Sequence, residues 1–215
     1  METLKKMSEL LKGAVSFTFT AKTIREQRIE SGQMLDFFTT SRIVVTRPDH
    51  IRVDAKGSLH NASLWYDGKT VTIYANKAHY YAQADAPPSI DEAVAMLVER
   101  FNTPIPVAGF LLKDPYARMM DGVKGAFEVA PAEIDGVACR HLAFSEEAAD
   151  WQVWIQDGPK PFPRLIVVVY KKLDGAPRVI SALSDWNLAP KIAPDEFTFK
   201  APEGAKKVDW ATGLK

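Results

Sequence analysis

The Asp-Gly pairs at 67–68, 135–136, 157–158 and 174–175 limit this chain more than any other feature. An Asp-Gly step supplies the positive backbone angles of a tight hairpin turn, so the segments on either side must run antiparallel. Between the pairs lie strand-like runs of about six to ten residues, rich in β-branched and aromatic side chains. The pattern is that of an antiparallel meander.

Read in order, residues 2–12 predict a short amphipathic helix ending near Gly13, with Leu4, Met7, Leu10 and Leu11 on its apolar side. Val15, Phe17 and Phe19 then alternate with polar residues, which predicts a half-buried strand running on toward Ile29. Met34 to Val45 predicts a second long or bent strand. Arg47-Pro48-Asp49-His50 is a break, because proline cannot donate within a ladder. Strands follow at Ile51–Val53, Ser58–Tyr66, Lys69–Ala75 and Ala78–Gln83, and later at Ala126–Val129, Val137–Phe144, Asp150–Gln156, Arg164–Tyr170 and Arg178–Asn187. Phe197 and Phe199, with Pro202 and Gly204 beyond, close the β region. Ten or eleven strands are too many for a sheet to stay flat. The expected fold is therefore α+β, mainly β: a half-closed antiparallel barrel, in one domain over residues 1–215.

Residues 87–121 interrupt this pattern. Ser89 and Glu92 have capping-box spacing, and Asp91 adds acid to the first turn. Ile90, Ala93, Val94, Leu97, Val98 and Phe101 form one apolar stripe at helical spacing. Pro104 and Pro106 break the helix, Val107–Leu112 is apolar throughout, and Asp114-Pro115 starts a second short helix. Such an insertion is expected to cover the concave side of the sheet from about residue 89 to 121, either as core or as a lid hinged near Pro104–Pro106. An apolar site beneath it would draw on Phe17, Phe19, Val94, Leu97, Phe101, Val107, Phe110 and Leu111.

Twenty-seven basic and 27 acidic residues cancel, which argues against a nucleic-acid partner. No apolar run approaches the length needed to span a membrane. The single cysteine, Cys139, excludes an internal disulfide. The first residues lack the apolar core of a signal peptide, so an exported form would have lost its leader ahead of Met1.

Chemistry-bearing motifs are sparse. Cys139 and His141 share a strand face, but side chains at i and i+2 stand about 7 Å apart. Val137 on the same face favours a small buried hydrophobe over an activated thiolate. His50, His60 and His79 lack metal-ligand spacing, and no nucleotide or hydrolase motif is present. No metal, cofactor or catalytic residue is expected. Asn61-Ala62-Ser63 fits a glycosylation sequon but lies within a strand. Trp151 shares a face with Val153 and Ile155, while Trp154 lies on the other, so both faces have something to cover.

Arg47-Pro48-Asp49-His50-Ile51-Arg52-Val53, then Tyr66-Asp67-Gly68-Lys69-Thr70-Val71, then the terminal Phe197-Thr198-Phe199-Lys200-Ala201-Pro202-Glu203-Gly204-Ala205 occur in an order that resembles the outer-membrane lipoprotein carrier (LolA/LolB-like) superfamily. The chain is closer still to a family of predicted periplasmic proteins within it. Those proteins share His141-Leu142-Ala143-Phe144, Asp150-Trp151-Gln152-Val153-Trp154-Ile155 and Ser184-Asp185-Trp186-Asn187. The resemblance implies an incomplete barrel of about eleven strands, helices as a lid over an apolar cavity, and a periplasmic location in a Gram-negative cell. In the carriers the cavity shields lipoprotein acyl chains, and the arginine of the RP motif, matched here by Arg47, helps hold the lid closed. The strands after the insertion depart from the carrier pattern, so fold transfers further than function.

Three readings follow. One is a non-catalytic periplasmic binder of an apolar ligand, such as a lipid or lipoprotein acyl chain. Another is a protein-interaction or envelope-stress-sensing module with a filled core and an envelope protein as partner. The third, an enzyme built on Cys139 and His141, has the least support.

Overall fold

The computed structural model of the chain describes residues 1–58, 61–101 and 105–210. His60 and Pro104, including the Pro104 half of the expected hinge, lie outside these residues.

The first helix, α1 (Glu2–Lys12), buries Leu4, Met7, Ser8 and Leu11 and ends at Gly13. Two thirteen-residue strands follow, β1 (Ser16–Arg28) and β2 (Met34–Thr46). Alternation drives the first: Phe17, Phe19 and Ala21 are buried on one face. Val15 lies outside the strand and is exposed. The meander continues through β3 (His50–Gly57), β4 (Asn61–Tyr66), β5 (Thr70–Ala75) and β6 (Tyr80–Asp85). A turn with His79 at φ 56° delays β6 past its expected start.

After the helical insertion come β7 (Gly125–Ile134), β8 (Val137–Ser145), β9 (Ala149–Gln156), β10 (Pro163–Tyr170) and β11 (Arg178–Asn187). β7 runs well past Val129 and contains Pro131. It is an edge strand, where proline removes no needed donor. A two-residue β12 (Lys206–Lys207) pairs in parallel with β6.

The twelve strands among the described residues form one sheet in the order β12-β6-β5-β4-β3-β2-β1-β11-β10-β9-β8-β7. Apart from β12, every pairing is antiparallel. The ends of the order, β12 and β7, do not pair, so the barrel is incomplete, as expected.

This order also explains the insertion. It links β6 to β7, which lie near opposite ends of the sheet, so it must cross the whole sheet. Its apolar stripe determines the face it crosses. Helix α2 (Ile90–Phe101), a 3-10 turn (Pro106–Leu111) and α3 (Pro115–Met120) pack with α1 against the concave side. Ser89 caps α2: its Oγ accepts from Glu92 N at 3.3 Å and donates to Glu92 Oε2 at 2.7 Å, so Glu92 holds the cap through the hydroxyl. Asp114 caps α3 by accepting from Ala117 N at 3.0 Å.

The segment at Phe197–Phe199, read as closing the β region, is irregular and joins no ladder. Its rings cover the convex face instead. Phe199 lies 4.8 Å from Trp65 and 4.9 Å from Tyr81 between ring centres, and Phe197 lies 5.0 Å from His50. Both side chains point onto the sheet, so the segment is a strap laid over the strands of the β3–β6 half.

Candidate functional site

The concave face is built from the inward residues of the central strands. Phe17 and Phe19 are fully buried there, in one cluster with Ile43 and Val45. Trp186 stacks on Phe19 at 4.3 Å and on Phe162 at 5.5 Å, and its indole donates to Pro163 O at 3.0 Å. Strict alternation from buried Leu183 would turn Trp186 outward. It faces inward because β11 carries an extra residue against β1: Thr18 pairs Asn187 while Thr20 pairs Ser184. Asp185, at φ 56°, absorbs the bulge. Aspartate tolerates that left-handed backbone, so Ser184-Asp185-Trp186 carries a faint local signal that period-two reading misses.

The lid packs onto this surface. Ile90, Ala93 and Leu97 of α2 are buried, as are Ala108, Phe110 and Leu111 of the 3-10 turn. Phe17, Phe19, Leu97, Phe110 and Leu111 join one apolar cluster, and Val94, Phe101 and Val107 pack against its margin. All eight residues singled out for an apolar site thus come together. In this conformation the lid's own side chains occupy the space. Two surface depressions lie elsewhere. One, of about 640 Å³, sits between the end of α1 and residues 188–190; the other, of about 390 Å³, includes Arg140 and Asp157.

Among the described residues, a small set of polar contacts fastens the lid to its surroundings. Arg47, directly after the end of β2, donates through Nη1 to Leu111 O at 2.7 Å, with its guanidinium 5.5 Å from the centre of the Phe17 ring. Burial pulls its pKa below the usual arginine value, and Asp91 opposes that pull. Ile90 N donates to Pro48 O at 3.0 Å; within the lid itself, Lys113 N donates to Asp91 Oδ2 at 3.0 Å. Tyr66 donates to Pro87 O at 2.5 Å; burial, aided by nearby Asp49, Glu92 and Asp67, pushes its phenol up to about 12. The α3 end leans on α1 through Lys12 to Asp114 at 2.9 Å and Tyr116 N to Ser8 Oγ at 2.8 Å. At the far end of α2, Arg100 donates to Trp210 O. Sequence reasoning missed the Tyr66, Ser8 and Trp210 contacts, which join residues far apart in the chain.

Cys139 and His141 are separately engaged. The Cys139 thiol is fully buried, donates to Val137 O at 3.3 Å, and is pushed up by burial. The His141 ring stacks on Trp154 at 3.9 Å and bonds Gln152 at 2.9 Å. A thiol that is buried and harder to ionise is the reverse of an activated nucleophile. Cys139 should therefore resist a thiol reagent such as dithionitrobenzoate at pH 8 in the folded protein and react within seconds in denaturant. Fast labelling of the folded protein would show the site to be open. Among the described residues, no group of three or more histidine, cysteine, aspartate or glutamate side chains is placed to hold a metal. No described helix is long and apolar enough to cross a membrane.

An uncharacterized conserved protein from Thermus thermophilus has a similar structure, with a TM-score of 0.55 and 13% identity, covering 97% of each chain. The lipoprotein LppX of Mycobacterium tuberculosis follows at TM-score 0.49 and 11% identity, over 89% of this chain and 97% of that one. A LolA superfamily protein from Nitrosomonas europaea has TM-score 0.47 and 10% identity, over 92% and 96%. These likenesses concern the fold, and the last two are too distant to bear further weight. No similar sequence was found among curated proteins. The sequence pattern of one family, described as "Predicted periplasmic protein (DUF2092)", matches residues 1–211. The chain belongs to this family of predicted periplasmic proteins.

Proposed function

We propose that this protein is a non-catalytic periplasmic binder of an apolar ligand, a lipid or lipoprotein acyl chain, taken up between the lid and the concave face. The observation that supports this is the make-up of that interface. Both surfaces are apolar and aromatic, and among the described residues the Arg47–Leu111 O and Ile90 N–Pro48 O bonds join them. Arg47 is the latch in this reading, because its bond to Leu111 O must break for the 3-10 turn to lift.

Magnitudes set the kind of ligand. Lifting Phe110 and Leu111 exposes two buried side chains, at about 1.5–3 kcal/mol each. Each buried methylene of a ligand returns about 0.8 kcal/mol. About four to eight methylenes are needed to break even, so short-chain molecules are poor ligands and long acyl chains are good ones.

Native mass spectrometry of gently purified protein, with titration of a fluorescent long-chain fatty acid, tests the proposal. The expected result is one bound lipid and saturable binding. Protein that carries no lipid and takes up no fatty acid would overturn it. The filled interior favours a second reading, an interaction module whose partner is an envelope protein and whose lid never opens.

A further inference from the structure

We infer that the ligand carries an acidic head, a carboxylate or phosphate, and that Arg47 receives it. This inference rests on the lid-over-ligand reading.

Arg47 follows buried Val45 by two residues and so projects to the concave side at the end of the barrel. Its guanidinium uses Nη1 for Leu111 O. Nε and Nη2 are both buried and, among the described residues, have no hydrogen-bond partner. An arginine presents its donors as a rigid fork suited to two oxygens at once. Here, half of that fork is shielded from water and unfilled, at a cost in free energy.

The surroundings do not neutralise it. Asp91 acts on Arg47 from α2, but one of its oxygens is already taken by Lys113 N at 3.0 Å, and among the described residues no ion pair joins it to Arg47. The Phe17 ring packs near the guanidinium, and the apolar cluster of Phe17, Phe19 and Phe110 begins directly beneath it. When the 3-10 turn lifts, Nη1 loses Leu111 O as well. The opened site is then a cation with no protein acceptor, at the mouth of an apolar floor. The complement is an amphiphile with a long chain and a planar or tetrahedral anion at one end.

The arrangement also couples binding to opening. An acidic head replaces the lid carbonyl on Nη1 and fills the unused donors, so the latch bond is exchanged rather than lost. A neutral ester can replace the lid carbonyl on Nη1, but it brings no negative charge and no pair of charged oxygens for the unused donors.

Titration calorimetry with hexadecanoic acid, hexadecyl phosphate, methyl hexadecanoate and acetate tests this. Both acidic amphiphiles should bind about ten- to a hundredfold tighter than the ester, the worth of a charge-assisted hydrogen bond. Whichever of the two binds tighter identifies a free fatty acid or a phospholipid-type head. Acetate should not bind measurably. Loss of the latch in Arg47→Gln alters lid opening for every ligand, so the readout there is the acid-to-ester ratio, which should fall to about one and recover in part in Arg47→Lys. Equal affinity for acid and ester in the unmutated protein would overturn the acidic-head inference and leave the apolar-ligand reading standing. If no amphiphile binds, the apolar-ligand reading falls and takes the acidic head with it.

Discussion

Phe110→Ala should destabilise the protein by about 3–5 kcal/mol. Phe110 is fully buried in the 3-10 turn and lies in the cluster with Phe17 and Phe19. Removing its ring forfeits the transfer energy and leaves a void that neighbours held by the sheet cannot close. For a domain of this size the loss corresponds to a melting temperature lower by about 6–20 °C. The variant also bears on function. The void lies in the proposed ligand position, so hexadecanoic acid should restore part of the lost stability, more than it adds to the unmutated protein, where it must displace the ring. Calorimetric melting of both proteins with and without the acid measures this. A drop below about 1 kcal/mol would mean the turn is not packed as described. A full drop without recovery by ligand would favour the filled-core reading.

Trp186→Ala should cost about 3–5 kcal/mol, although a strictly alternating strand would leave this residue at the surface. Its ring lies between Phe19 at 4.3 Å and Phe162 at 5.5 Å, and its indole donates to Pro163 O. Alanine removes both stacks and strips the carbonyl of its donor. Trp186→Phe keeps most of the stacking and loses the hydrogen bond, so about 1 kcal/mol is expected. Urea unfolding followed by circular dichroism separates the two cases. If Trp186→Ala were as mild as Trp186→Phe, the inward placement of this side chain by the Asp185 bulge would be wrong.

Most elements were legible because they depend on local chemistry. Asp67 shows why: its side chain accepts from Lys69 N at 3.0 Å and Thr70 N at 2.7 Å, closing the β4–β5 turn with contacts only a few residues apart. The caps of α2 and α3 have the same local character, as Ser89 with Glu92 and Asp114 with Ala117 show. The apolar stripe of α2 marked its buried side for the same reason: helical spacing alone places Ile90, Ala93 and Leu97 together.

Where local pattern and tertiary use diverge, the reading failed. Phe197 and Phe199 have the spacing of a strand, yet they serve as rings pressed onto Trp65, Tyr81 and His50 from outside. A period of two says that side chains share a direction; it does not say that the backbone has a ladder partner. At Trp186 strict alternation would mislead, since one bulge inverts every later face assignment in a strand.

By itself the sequence determined an antiparallel meander, a capped apolar helix between its halves, and an arginine at the break after the second strand. Turn chemistry, capping and periodicity act over a few residues, so they can be read without knowing the fold. Only the tertiary structure decided that β6 and β7 lie near opposite ends of the sheet, which forces the insertion across the concave face. It alone brought Arg47 to Leu111 O, 64 residues away, and left two donors of that arginine buried without an acceptor among the described residues. Contacts at such separation depend on the closing of the whole barrel, and no short window of sequence encodes them.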